Sequence, residues 1–247
     1  MDRLLGFVRS LVIYHNPGTI RAWRRFYRDL LEPQALVFDV GAHVGTRARA
    51  MRAAGARVVA LEPQQPFAGF LRRTLPRDIT LIEAAAGRTE TEADMAVSSR
   101  HPTVSSLRLD FVQGAARAPG FDHVKWDRTQ RVRMVTLDGL IARFGTPDYI
   151  KIDVEGFEID VLAGLSQPVA MLSVEFLPGF KHLTHAVIDR LADLGDYRFN
   201  PVQGETGGFV WPDWRDGATT AAWLDSLPRD AGSGDLFARL QSDPRGG

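Results

Sequence analysis

The chain has 247 residues, in which 30 Lys and Arg balance 30 Asp and Glu. That length suits one large α/β domain, and the neutral balance argues against a bulk nucleic-acid binder. The lack of cysteine excludes disulfides, thiolate metal sites and a cysteine nucleophile. The first residues, MDRLLGFVRSLVIYHN, are apolar, but Arg9 interrupts them and no small-residue cleavage site follows. The stretch is a poor signal peptide and too short to span a bilayer. A cytoplasmic protein is expected, with room for peripheral membrane contact. Residues 3–31 read as helical: Trp23, Phe26, Tyr27 and Leu30 share one face, and Arg21, Arg24, Arg25 and Arg28 form a second stripe. The apolar face is expected to pack on the main domain and the arginines to face solvent.

From residue 36 strands and helices alternate. Strands are expected at 36–40, 57–61, 79–83, 148–153 and 169–175, with helices at about 45–54, 65–75, 157–165 and 183–194. The strands are apolar on both faces, as in a parallel sheet covered by helices on both sides. Segments 196–200 and 207–211 are expected to close the sheet as an antiparallel hairpin, and 218–227 and 234–241 carry short helical patterns. Residues 84–148 interrupt the rhythm: 93–99 and 130–137 alternate like strands, and the Arg- and His-rich stretch between them is expected to be a lid. The expected division is a helical segment at 1–33, a main domain at 34–211 with an insertion at about 93–135, and an extension at 212–247.

The first strand ends in "FDVGAHVG", residues 38–45. Ligands of open α/β sheets bind outside the carboxyl ends of the strands. A dinucleotide would want GxGxxG, with pyrophosphate on the following helix. Here Gly41 and Gly45 are spaced G-x-x-x-G, and the carboxylate of Asp39 would repel phosphate. A ligand with positive charge and no phosphate fits better, and S-adenosylmethionine has an ammonium, a sulfonium and an adenosine. The second strand ends in Glu62, able to accept hydrogen bonds from ribose hydroxyls. The third ends in Glu83, followed by alanines small enough to admit an adenine against the backbone.

The motifs VFDVGAHVG, VVALEPQQPF, SSL, TLDGLI, DYIKIDVEGFEIDVLAGL and LSVEF resemble those of the FkbM-type methyltransferases, over about residues 35–177. That resemblance implies a Rossmann-like class I fold: a mostly parallel sheet, a terminal antiparallel hairpin, and a lid inserted between the third and fourth core strands. It implies S-adenosylmethionine as cofactor and O-methylation of a sugar, glycan or small natural product. Asp39, Gly41, Ala42, His43 and Gly45 would shape the methionine pocket, Glu62 and Pro63 would hold the ribose, and Glu83, Ala84 and Ala85 would flank the adenine. Ser105 and Ser106 would contact acceptor or cofactor. The family usually has Asn where this chain has His43. His is among the residues enriched at positive φ, so the loop geometry is expected to survive.

An alcohol acceptor must lose a proton to a base or to a metal-bound state. Lys151 and Asp153 share one face of the fourth strand, Glu155 follows in the turn, and Glu175 ends the fifth strand. Asp153 and Glu155 are candidates to orient the acceptor, take its proton or bind a cation, with Glu175 as the third ligand of any Mg²⁺. His182 is the expected imidazole base, with His185 on the same helical face and His101 and His123 of the lid as rivals. The arginines of the lid (Arg100, Arg108, Arg117, Arg128, Arg131 and Arg133) hint at an anionic acceptor. A nicotinamide-dependent oxidoreductase and a non-catalytic protein that keeps the fold are the competing readings.

Overall fold

The computed structural model describes residues 17–100, 105–107 and 124–241. In chain order the elements are α1 (Pro17–Leu30), β1 (Leu36–Val40), α2 (Thr46–Ala53), β2 (Arg57–Leu61), α3 (Phe67–Thr74), β3 (Thr80–Ile82), β4 (Ala85–Ala86), β5 (Thr91–Val97), β6 (Arg128–Val135), α4 (Leu137–Phe144), β7 (Tyr149–Ile152), α5 (Glu158–Leu162), β8 (Met171–Phe176), α6 (Lys181–Leu194), β9 (Tyr197–Gln203), α7 (Gly217–Ser226) and β10 (Gly234–Leu240).

The main sheet runs β3-β2-β1-β7-β8-β10-β9 among the described residues. Strands β1, β2, β3, β7 and β8 pair in parallel, and β10 pairs antiparallel with both β8 and β9. Successive side chains of a strand alternate between faces, and here both faces are buried. Phe38, Val40, Ile150, Ile152, Leu172 and Val174 pack with Val161 and Leu162 of α5 and Val187, Ile188 and Leu191 of α6. Val37, Val58, Tyr149 and Phe237 pack on the other face with Trp23, Phe26 and Tyr27 of α1 and Met51 of α2. Each large apolar side chain so buried contributes roughly 1.5–3 kcal/mol. This explains why α1, whose Trp23 and Tyr27 are fully buried, belongs to the domain. Arg21, Arg24, Arg25 and Arg28 point away and are exposed. No helix among the described residues is long and apolar enough to cross a membrane.

The expected hairpin is made differently. Residues 207–211 form no strand, and the partner of β9 is 234–240, which reads as a short helix in the sequence. The reason is burial on both faces. Leu236 and Ala238 enter one core and Phe237 the other, so the segment lacks the polar alternation that marks a half-buried strand. The expected C-terminal extension therefore supplies a strand of the main sheet. The insertion forms a second sheet, β4-β6-β5, in which β5 and β6 pair antiparallel. His101, Arg108, Arg117 and His123, and most of the expected lid, lie outside the described residues.

Candidate active site

From β1 the chain proceeds outward to β2 and β3, then returns to β7 on the other edge of β1. Such a reversal leaves a crevice at the carboxyl ends of the strands, and a cleft opens there. Its first wall is the loop after β1. Gly41 has φ +83°, and a Cβ on it would stand 1.9 Å from the Asp153 carbonyl oxygen, so only glycine lets this loop meet the end of β7. His43 has φ 50°, in line with the tolerance of histidine for that region. Its backbone N–H donates to Glu62 Oε2 at 2.7 Å, while the Gln64 N–H donates to Oε1 at 2.8 Å. Glu62 is thereby fixed on the wall with lone pairs to spare. Burial pushes its carboxyl up to about 8, against the opposing pull of those two amides. Burial also lowers the His43 imidazole to about 4, so the ring is neutral at neutral pH.

The second sheet closes the far side. Gln130 of β6 donates to the Pro63 carbonyl at 2.8 Å and accepts from the Gln65 N–H at 2.9 Å, which holds the loop after β2 in place. Ala84, Ala85 and Met95 of β5 line the cleft here. Glu83 does not. Its carboxylate turns outward and takes both Nε and Nη2 of Arg72 on α3, at 2.7 and 2.5 Å. The alternation of side chains sends Glu83 away from the cleft and Ala84 toward it.

At the centre Lys151 Nζ donates to Asp153 Oδ2 at 3.0 Å and lies 3.8 Å from Asp39 Oδ1. Burial works against the Lys151 ammonium, but the two carboxylates hold it above the ordinary lysine range. Burial would raise Asp153, and Lys151 overrides it, keeping that carboxyl low. Asp39 is fully buried behind the wall and lifted to about 6 by burial, so it supports Lys151 from below. Gly45, likewise behind the wall, starts α2 with φ +77°.

Beyond β7, Glu155 has φ 55°. Ser106 Oγ donates to its carbonyl at 2.8 Å, and Glu158 Oε1 accepts from the N–H groups of Val154 and Gly156, both at 3.2 Å. Ser105 lines the cleft beside them. Oxygen atoms of Asp153, Glu155 and Glu175 all lie within 4.8 Å of one another. Burial, then the neighbouring carboxylates, hold Glu155 and Glu175 well above the usual range.

The last wall has no signal in the sequence. Thr19 of α1, Arg47 of α2, Glu205 after β9 and Ser233 before β10 meet there, brought together from distant parts of the chain. His182, the expected base, is exposed on α6 and absent from the cleft wall. The helix buries its Thr184, Val187 and Ile188 face, which turns His182 outward. His185 pairs with Asp225 at 2.9 Å. Arg128, Arg131 and Arg133 also miss the wall, and Arg131 binds Glu92 at 2.8 Å.

Fold and site together define an α/β protein with a cleft at the switch point of its sheet. The Methyltransferase FkbM domain family matches residues 39–199, from the acid of β1 into β9. The chain belongs to that family and is an S-adenosylmethionine-dependent methyltransferase. The nicotinamide reading is thereby set aside. AMB antimetabolite synthetase AmbE of Pseudomonas aeruginosa is 32% identical over 166 residues, 55% of this chain and 8% of that protein. The chain thus spans a small part of that relative. Among solved structures, a TehB-like SAM-dependent methyltransferase from Corynebacterium glutamicum is 10% identical with a TM-score of 0.48, covering 94% of each chain. The magnesium protoporphyrin IX methyltransferase of Synechocystis, solved with bound SAM, is 12% identical with a TM-score of 0.46, covering 95% of this chain and 84% of that one.

Proposed function

We propose that the protein methylates a hydroxyl of a sugar, glycan or small natural product. The observation that carries this reading is the group of three carboxyls, Asp153, Glu155 and Glu175, in the same cleft as Glu62. When bound, S-adenosylmethionine supplies a methyl group on a sulfonium, displaced in line by the acceptor oxygen to leave a thioether. The loop at Gly41–Gly45 and the carboxylate of Glu62 hold the methionine and ribose ends, and Ala84 and Ala85 flank the adenine. Asp153, kept ionised by Lys151, orients the acceptor hydroxyl. The Glu155–Glu175 pair receives its proton, since burial and the neighbouring carboxylates raise the affinity of these groups for a proton above that of an ordinary carboxylate. The acidic wall and the pairing of Lys151 with Asp153 favour a neutral or cationic acceptor over an anionic one.

Release of S-adenosylhomocysteine, measured over panels of hydroxyl, amine and thiol acceptors, tests this reading. Turnover with hydroxyl compounds supports it, and turnover confined to amines or thiols overturns it. The same three carboxyls also suit a second role. An all-oxygen donor set of this size fits Mg²⁺, and a bound cation would offset their mutual repulsion. Loss of activity in a chelator, restored by Mg²⁺, supports the cation role; indifference to the chelator leaves the carboxyls as base and orienting group.

A further inference from the structure

Arg47 stands on the first turn of α2, two positions past Gly45, and forms part of the cleft wall. It is held on three sides. Nη2 donates to Asp235 Oδ2 at 2.9 Å and lies 3.4 Å from Glu205 Oε2. The guanidinium carbon sits 3.0 Å from the centre of the Trp23 ring. Trp23 Nε1 in turn donates to Glu205 Oε2 at 2.5 Å, so the acid that holds Arg47 is itself held. Nη1 is different: it is buried and has no hydrogen-bond partner among the described residues. A buried donor on a charged group is costly to leave unpaired, and a guanidinium fixed by its neighbours has already lost its rotamer freedom.

We infer that Arg47 Nη1 anchors the α-carboxylate of the cofactor's methionine end. The inference rests on the S-adenosylmethionine reading and adds to it a positioning residue that no motif marks. Elimination supports it. The methionine end has an ammonium and a carboxylate, and the carboxylate needs a donor. Of the two cations on the wall, Lys151 is taken up by Asp153 at 3.0 Å and Asp39 at 3.8 Å. Arg49, on the same helix, donates to the Val44 carbonyl at 2.7 Å and to Thr74 at 2.9 Å. Among the described cations of the wall, Arg47 Nη1 is thus the nitrogen left without a hydrogen-bond partner. It lies next to the glycine loop, where the methionine end belongs.

The test uses calorimetric titration of the whole chain with S-adenosylhomocysteine and with its decarboxylated analogue, which keeps the ammonium and lacks only the carboxylate. The wild type is expected to prefer S-adenosylhomocysteine by about tenfold or more, the range for a hydrogen bond to a charged group. Arg47→Gln is expected to erase that preference while leaving affinity for the analogue unchanged. Equal binding of the two ligands by the wild type overturns the inference, even if the variant fails to fold. So does a variant that folds and loses both ligands in the same proportion. A wild type that binds neither ligand overturns the cofactor reading as well, which separates the two failures.

Discussion

The two ends of the cleft are built by different means. At the proposed adenosine end the positions are set by backbone: the loop after β1 that turns at Gly41, two amides on Glu62, and Gln130 clasping the loop after β2. At the proposed methionine and acceptor end they are set by side chains: Asp153 with Lys151, the Glu155–Glu175 pair, and Arg47 among Trp23, Glu205 and Asp235. A wall made of backbone is fixed by folding and tolerates few substitutions. A wall made of side chains changes its chemistry with one residue. The difference teaches that one scaffold can keep its proposed adenosine pocket while its acceptor varies, because the two demands fall on different parts of the chain.

The sharpest way to break this contrast is Asp153→Asn. Lys151 keeps Asp39 as a partner at 3.8 Å, so folding and S-adenosylhomocysteine binding are expected to survive. Turnover is expected to fall roughly 10²-fold or more. Full activity in single-turnover assays would place the acceptor chemistry elsewhere. Next comes Glu62→Ala, expected to weaken S-adenosylhomocysteine by roughly 1–3 kcal/mol, the scale for unpairing buried polar groups. Unchanged affinity in a titration would remove the ribose assignment.

The pH dependence is a gentler probe of the same acid. Glu62 sits near 8 in the folded, unliganded protein against an ordinary value of 4.5. If the ribose hydroxyls bind its anion, cofactor affinity rises as pH approaches 8 and then levels off, by about tenfold per unit well below the midpoint. Glu62→Gln should flatten that slope. The raised value also means that the unliganded fold holds a proton which the unfolded chain releases between 4.5 and about 8. Across that window this group costs stability as pH rises, which thermal melts with and without the Gln substitution would register. The smallest effects belong to residues outside the contrast. His182→Ala and Glu83→Gln should each leave turnover and cofactor affinity within about twofold, as for ordinary surface changes. A large loss in either would return that side chain to the site.

The legibility of the sequence follows the same divide. The ends of β1, β2 and β7 announce themselves because their chemistry is contiguous: an apolar strand followed within a few residues by an acid and a glycine, as at Asp39 and Gly41, or Asp153, Glu155 and Gly156. Glu83 looks identical by that logic, and only the direction of its side chain, which faces Arg72 instead of the cleft, separates it from Glu62. Arg47 and Glu205 carry no local sign at all. They become neighbours because α2, the turn after β9 and the start of β10 converge in space. β10 misleads for a related reason, since a strand buried on both faces shows no period of two.

β10 is made after β9 but lies between β8 and β9. While the chain is being synthesised, the slot beside β8 must therefore stay open until residues 234–240 emerge, with the apolar edges of two finished strands exposed to chance partners. Asp235, the acid that steadies Arg47, arrives with that same strand. Asp235 also pairs with Glu175 in the register of β10 on β8, so both the Arg47 wall and the edge of the carboxyl group are finished only when this late strand joins the sheet.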